Sequence, residues 1–217
     1  MLPCWTDEYQ KKFFCEEPIF CFDPNDKRNE PAHGSHDHVQ SLWLKFPEKL
    51  RKQFMDALST ERIADTKPRV TETEWLRTLI QVRNEIIRCP FCGQDFFSEV
   101  SGQTSCAACG EKVIIPVTLY VQKYAIPLLP NVQLFLCHTS DGNEDFHTVT
   151  AAVVTNPKNP AILGLANKSD YGWYVPDADG NPKTIAPGHT VPLQHGRTIH
   201  FGSATKATVE EPWSKRQ

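Results

Sequence analysis

The chain has 217 residues, of which 40% are hydrophobic and 23% are charged, and its net charge is −3. This composition is typical of a soluble globular protein. No apolar run approaches the roughly 20 residues that a membrane-spanning helix needs. The first residues, MLPCWTDEYQ, carry acidic groups and no small-residue cleavage site, so we expect no signal peptide and a cytoplasmic location. Cysteines in that compartment serve as thiols or metal ligands rather than as disulfides.

Charge is spread evenly along the chain. Residues 1–88 carry 14 basic and 15 acidic side chains, residues 89–125 carry two and three, and residues 126–217 carry seven and eight. No segment has the basic excess that binding to a phosphate backbone requires. The charge distribution therefore weighs against nucleic acid as the main partner.

The first part of the chain is predicted to be helical with long loops. Residues 20–38 are rich in Asp, Asn, Pro, Gly and His, which predicts a loop. The segment FPEKLRKQFMDAL then places apolar residues at helical spacing. A second helix is expected to begin at a capping box formed by Thr71 and Glu74. Pro90 would end this helix near Cys89, and its apolar face would consist of Trp75, Leu79, Val82 and Ile86.

The sequence contains two knuckles of the form Cys-x-x-Cys-Gly, CPFCG and CAACG, with 13 residues between Cys92 and Cys106. Zinc(II) takes four ligands in a tetrahedron and binds thiolates well. The glycine after each pair accepts the turn that points backbone N–H groups at the sulfurs. Four cysteines leave no open coordination position, so the metal would be structural. We predict one zinc ion per chain, in a zinc ribbon over residues 89–115, bound by Cys89, Cys92, Cys106 and Cys109.

The alternatives to the zinc site are reduced thiols that lie together by chance, or a redox Cys-x-x-Cys, and both are disfavoured by two knuckles at ribbon spacing. His33, His36 and His38 cluster in a polar loop, but they lack a carboxylate–histidine pattern at helical spacing, which favours a solvated loop over a metal site. The remaining cysteines, Cys4, Cys15, Cys21 and Cys137, have no ligand spacing and are interpreted as small hydrophobic residues or exposed thiols.

Residues 116–217 contain short segments rich in β-branched and aromatic residues, such as VTLYV, TVTAAVVT and AILGLA. Turn signals, including SDGNED, NPKNP and DADGNP, separate these segments. Several short strands at close spacing predict a β-sandwich or a small barrel. The fold class is therefore α+β, with a helical segment over 1–88, the zinc ribbon over 89–115 and a β-sandwich over 116–217.

The helical segment resembles the end of a protein-kinase C-lobe. RVTETEWLRTLIQV is similar to its last helix, WLKFPEKLRKQFMDAL to the helix before it, and PIFCFDPNDKRNEPAHGSHDHVQSLW to an insert found in a group of bacterial Ser/Thr kinases. Those kinases continue into two cysteine knuckles and a β-rich tail. They are associated with a three-gene cassette that also encodes a von Willebrand A-domain protein of the tellurite-resistance type and a metal-dependent serine/threonine phosphatase.

The chain departs from the kinase pattern in its chemistry. It has no Gly-rich loop, no phosphate-anchoring Lys, no His-Arg-Asp loop and no Asp-Phe-Gly site, and all of these are needed for phosphoryl transfer. The kinase Arg that matches Arg69 pairs with a Glu of the activation segment, which is also missing. The chain therefore looks like the C-terminal end of such a kinase, as a fragment or a free-standing piece, and we expect no enzymatic activity from it alone.

The tail resembles a forkhead-associated (FHA) domain. GLANKSDYGWYV is similar to that family's turn segment, and VPLQHGRTIHFG to its closing strand pair, with a turn at Gly196. FHA domains bind phosphothreonine through an Arg, a Ser and an Asn on loops. Tyr171 occupies the Asn position here and Trp173 the position of a following Thr. The resemblance therefore implies an FHA-like sandwich that no longer reads phosphothreonine. An unrelated β-sandwich is the alternative.

Tyr171 and Trp173 would instead offer an apolar surface to a protein partner, unless Trp173 belongs to the core. The favoured function is a non-catalytic protein-interaction scaffold in a phosphorylation-linked stress response. Its partners would be the von Willebrand A-domain protein and possibly the phosphatase of the cassette. The rival interpretation is a nucleic-acid-binding zinc-ribbon protein, whose binding would depend on salt.

Overall fold

The computed structural model describes residues 6–98, 103–177, 179–202 and 205–211. The chain divides into two compact units, Met1–Arg83 and Asn84–Gln217. The described part of the first unit is helical, and that of the second is almost entirely β-structure. This arrangement confirms the α+β class. Among the described residues, no helix combines the length and apolar character needed to cross a bilayer.

The helices of the N-terminal part are α1 (Asp7–Lys11), α2 (Asp37–Lys45), α3 (Glu48–Ala57), α4 (Thr60–Ile63) and α5 (Glu72–Asn84). A π-helical turn, Lys12–Glu16, follows α1 directly. The predicted polar loop separates this turn from α2, and the predicted helix in FPEKLRKQFMDAL is α3. The segment that was expected to be helical with long loops therefore has that organisation.

Aromatic rings link the loop to three of these helices. Phe22 stacks on Trp43 of α2 with ring centroids 4.5 Å apart. Trp43 meets Phe54 of α3 at 6.2 Å, and Phe54 meets Trp75 of α5 at 4.9 Å, both edge to face. Edge-to-face and offset-stacked pairs are favourable arrangements of aromatic side chains. The row therefore connects elements that lie far apart in sequence.

The strands of the second unit are β1 (Ile86–Arg88), β2 (Asp95–Phe97), β3 (Gln103–Ser105), β4 (Lys112–Ile114), β5 (Val117–Val121), β6 (Tyr124–Leu128), β7 (Gln133–Phe135), β8 (Val149–Asn156), β9 (Asn159–Asn167), β10 (Trp173–Pro176), β11 (Pro182–Ile185), β12 (Thr190–Pro192), β13 (Thr198–Phe201) and β14 (Thr205–Glu210). A short helix, α6 (Leu136–Thr139), follows β7. The pairs β1–β2 and β3–β4 form two small hairpins, each carrying one cysteine knuckle between its strands.

Two larger antiparallel sheets follow the hairpins. The first has the strand order β11-β10-β13-β14-β5-β6, and the second has the order β12-β9-β8-β7. Burial alternates along several strands, as in β10 and β14, because successive side chains point to opposite faces of a sheet. Both sheets contribute fully buried side chains, including Leu119, Ile126, Leu134, Leu165 and Ile199. The segment predicted to form a β-sandwich therefore contains two antiparallel sheets, each with buried side chains.

The last long helix ends earlier than predicted. It stops at Asn84 rather than near Cys89, because Ile86 and the two residues after it form β1 and pair with β2. Backbone hydrogen bonds of the hairpin replace those of a further helical turn. Ile86 and Leu79 are exposed, so the predicted apolar face is reduced to the part that includes the buried Val82.

The predicted closing strand pair is also wrong in its pairing. β12 pairs with β9 in the four-stranded sheet, whereas β13 pairs with β10 and β14 in the six-stranded sheet. The segment between them, with Gly196 at a positive φ of 77°, crosses from one sheet to the other. Both edges of β13 are occupied, so β12 cannot pair with it. Four apolar residues of this segment, Val191, Leu193, Ile199 and Phe201, are nevertheless all buried.

Candidate metal centre and sandwich surface

Each cysteine knuckle is a tight turn closed by its own backbone. The N–H group of Gly93 donates to the carbonyl of Cys89 at 2.9 Å, and that of Gly110 donates to the carbonyl of Cys106 at 2.8 Å. Both glycines adopt the left-handed conformation, with φ of 74° and 76°. A side chain would be strained there, which explains the glycine after each Cys-x-x-Cys.

The two turns bring four sulfurs together. The Sγ atoms of Cys89 and Cys109 are 3.8 Å apart, and those of Cys92 and Cys106 are 3.7 Å apart. All four sulfurs lie within 4.8 Å of one another. A tetrahedral zinc–thiolate centre with Zn–S bonds of about 2.3 Å has sulfurs about 3.8 Å apart. The cluster therefore has the donor type and spacing that could hold a metal ion.

The four thiols differ in exposure, and one of them, Cys106, has a lowered pKa. Cys89 and Cys106 are buried, whereas Cys92 and Cys109 are exposed. Backbone N–H groups of Cys109 and Ala108 donate to the sulfur of Cys106 and lower the pKa of this thiol to about 7. A metal ion binds thiolates, so a sulfur that is already close to deprotonation at neutral pH is a favourable first ligand.

Apolar side chains surround the two buried thiols. Ile87, Phe96 and Val113 come from the hairpins, and Leu129 comes from the segment after β6 in the sandwich. All of them form one buried cluster with Cys89 and Cys106, and Val132 packs against it. The candidate metal centre therefore shares a hydrophobic core with the edge of the β-sandwich.

The other sequence candidates are not gathered into a metal site. In the described part of the chain, the four-cysteine cluster is the only group of three or more His, Cys, Asp or Glu side chains with ligand atoms this close together. His33 and Asp37 are exposed and 4.0 Å apart. Cys15 is exposed, Cys21 is half-buried and Cys137 is buried. Cys4 lies outside the described residues.

The two residues predicted to bind a partner, Tyr171 and Trp173, differ in burial. Trp173 is 0% exposed, and its ring packs edge to face on Phe201 with centroids 4.9 Å apart. Placing Trp173 on a binding surface was therefore wrong, and it belongs to the core. Tyr171 is half-buried, and its hydroxyl donates to Oγ1 of Thr139 at 3.4 Å.

Sequence reasoning missed the exposed aromatic residue next to Trp173. Tyr174 is 43% exposed on the outer face of the six-stranded sheet. The strand register places it between Thr184 of β11 and His200 of β13, and His200 is opposite Lys206 of β14. Strict alternation along WYVP, with Trp173 inward, is the signal that would have identified it.

Comparisons with known proteins found little. No family model matches the chain, and no curated protein matches it. Among solved structures, the MEK1 FHA domain in complex with a phosphothreonine peptide of HOP1 matches 45% of this chain and 98% of its own, with 16% sequence identity and a TM-score of 0.33.

Proposed function

We propose that this chain is a non-catalytic, zinc-stabilised protein-interaction scaffold, the C-terminal part of a bacterial Ser/Thr kinase that docks partners in a phosphorylation-linked stress response. The observation that carries the proposal is the four-sulfur cluster, because its donor set and spacing suit a closed, structural zinc site. Cys89, Cys92, Cys106 and Cys109 would bind the zinc. The metal would hold the two hairpins together and fix them against the sandwich.

The docking role rests on the outer face of the six-stranded sheet. Tyr174 is exposed there beside the side chains of His200 and Thr184, and aromatic residues of this kind anchor protein interfaces. Tyr171 remains a second candidate. The kinase resemblance makes the von Willebrand A-domain protein of the cassette the first partner to test and the phosphatase the second.

The zinc proposal is tested by metal analysis of the native protein. We expect one zinc ion per chain, and Cys92→Ser should lose it because a tetrahedral site cannot close with three thiolates. Cys15→Ser is the matched control, since Cys15 is an exposed thiol outside the cluster. Native protein without zinc would refute the proposal.

The docking proposal is tested by calorimetric titration of the full chain with the von Willebrand A-domain protein. Tyr174→Ala should weaken binding about tenfold or more, as expected for an aromatic interface anchor, and Tyr171→Ala is tested beside it. Titrations of the chain with a DNA duplex at low and high salt test the rival function. Strongly salt-dependent DNA binding without protein binding would support a nucleic-acid-binding ribbon instead.

A peptide library tests phosphothreonine recognition separately. Charge-assisted hydrogen bonds from small polar side chains would be needed to read the phosphate, and Tyr171 and Trp173 occupy two of the positions expected to supply them. We therefore expect no preference for phosphothreonine peptides over their unphosphorylated forms. A tight, phosphate-dependent interaction would show that other loop residues perform the recognition.

A further inference from the structure

Arg88 spans the first cysteine knuckle with its side chain. It is the last residue of β1 and directly precedes Cys89. Its Nε donates to the carbonyl of Gly93 at 3.0 Å, which joins the entry of the turn to its exit. The guanidinium also lies against Gly93, with Nη2 3.8 Å from the point where a Cβ on that glycine would stand. The bond therefore closes the loop that carries Cys92.

Among the described residues, no side chain bridges the second knuckle in this way. The residue that directly precedes Cys106 is Ser105, whose short neutral side chain supplies no positive charge. The backbone turns of the two knuckles are otherwise alike, with equivalent bonds from Gly93 and Gly110. The difference between the knuckles thus lies in a side chain rather than in the turn.

A positive charge at the knuckle also suits the electrostatics of the metal centre. Four thiolates around one zinc(II) ion leave a net charge of −2 on the centre. A guanidinium is protonated at any physiological pH, and its planar group of N–H donors suits a bond to a carbonyl beside an anionic centre. Partners outside the ligand set orient metal ligands and raise metal affinity.

We propose that Arg88 is a positioning residue that holds the first knuckle closed around the metal and thereby slows exposure of Cys89 and Cys92. This inference rests on the proposed zinc site. Arg88 acts through the Gly93 carbonyl and through its charge, and it is not a ligand. In the described part of the chain, no side chain has the corresponding role at the second knuckle.

The test compares Arg88→Ala and Arg88→Lys with the wild type, using the full zinc-loaded chain. Excess N-ethylmaleimide is added without a chelator, and mass spectrometry follows the alkylation of each cysteine. A parallel assay measures zinc transfer to a colorimetric chelator. Lys112→Ala is the matched control, because Lys112 is an exposed cation in the hairpin of the second knuckle.

Arg88→Ala should accelerate both the alkylation of Cys89 and Cys92 and the transfer of zinc about tenfold. This factor is the lower end of the effects seen when residues that support metal ligands are substituted. The initial rates of alkylation of Cys106 and Cys109, measured before zinc is lost, should be unchanged. Arg88→Lys should give intermediate rates, since it keeps the charge but not the planar Nε–H donor. Lys112→Ala should behave as wild type.

Equal rates in the wild type and Arg88→Ala would overturn the inference. So would equal acceleration of all four cysteines, because that would indicate a general loss of folding rather than a local opening. A wild-type chain that binds no zinc would refute the proposed function itself, and metal analysis distinguishes this outcome before any alkylation is measured.

Discussion

Trp173 and Tyr174 are neighbours in β10 with opposite surroundings. The Trp173 ring is enclosed by the sandwich core, where it contacts Phe201, whereas Tyr174 lies on the outer face of the sheet. A substitution in the core removes buried apolar contacts and leaves a cavity, whereas a substitution at an exposed position removes fewer contacts and leaves no cavity. Substitutions at these two positions therefore distinguish an effect on stability from an effect on binding.

Trp173→Ala should lower the free energy of unfolding by about 3–5 kcal/mol, the range typical of large aromatic residues in a core. Tyr174→Ala should change it by less than about 0.5 kcal/mol. Urea unfolding followed by far-UV circular dichroism measures both. A stable Trp173→Ala variant would contradict the burial of this ring.

Asp145 stabilises the loop between α6 and β8 by accepting several hydrogen bonds. The hydroxyl of Thr148 donates to one carboxylate oxygen at 2.6 Å, and the N–H groups of His147 and Thr148 donate to the other at 2.8 Å. The Thr148 hydroxyl has the largest effect and these N–H groups the next largest, and they lower the pKa of Asp145 to about 2 from its ordinary value of 3.8.

A carboxyl group whose pKa is lower in the folded state stabilises the fold above its unfolded pKa, and this contribution is lost as the pH falls through the folded value. Asp145→Ala should therefore lower the melting temperature slightly at pH 7. The difference from wild type should shrink between pH 4 and pH 2. Asp141→Ala, in the same exposed loop, is the control. A pH-independent difference would show that the carboxylate charge is not responsible.

At the scale of elements, the helix start at Thr71 was predictable because a capping box is a local pattern. The Thr71 N–H group donates to the Glu74 carboxylate at 2.7 Å, and the Glu74 N–H group donates back to the Thr71 hydroxyl at 3.3 Å. The end of the same helix was not predictable from a local rule. It depends on the pairing of β1 with β2, a tertiary interaction that competes with the helical hydrogen bonds.

Thr71→Ala should lower the stability of the helical unit by about 1 kcal/mol, because it removes the side chain that accepts an N–H bond in the first turn. Thr73→Ala, an exposed substitution inside the same helix, should have no such cost. Hydrogen exchange of the α5 amides, measured by mass spectrometry, reports the effect on this helix alone. Equal exchange in both variants would mean that the capping box contributes little.

The strands show the same division between local and distant information. Segments such as VTLYV were predicted because their residue composition alone indicates a strand, and β5 coincides with this segment. The strands β6, β11 and β14 were not predicted. Pro127 in β6, Pro182 in β11 and the Thr and Lys residues of β14 obscure the alternation of apolar and polar side chains. Pairing partners depend on which edges are already occupied, so β12 and β13 were wrongly paired.

At the scale of the whole second unit, spacing alone predicted the four-sulfur cluster, because both knuckles encode their own turns. Its packing could not be predicted in this way. Leu129 lies 20 residues beyond Cys109 in the sequence, and it shares a buried cluster with Cys89 and Cys106. No local pattern links a residue after β6 to a cysteine knuckle. The two cysteine hairpins and the sandwich are thus coupled through side chains rather than only through the backbone.

If the four cysteines bind zinc as proposed, this coupling predicts that a sandwich residue controls retention of the ion. Leu129→Ala should accelerate zinc transfer to a chelator, because the cavity that it leaves loosens the packing around two of the ligands. Leu134→Ala is the matched control. Leu134 is a fully buried residue of β7 outside that cluster, so its loss should cost a similar amount, about 2–5 kcal/mol of stability, without changing the transfer rate. Zinc transfer is measured below the unfolding transition of both variants. Equal acceleration in both variants would mean that metal retention follows the overall stability of the unit. An unchanged rate in Leu129→Ala would mean that the cysteine hairpins hold the metal independently of the sandwich.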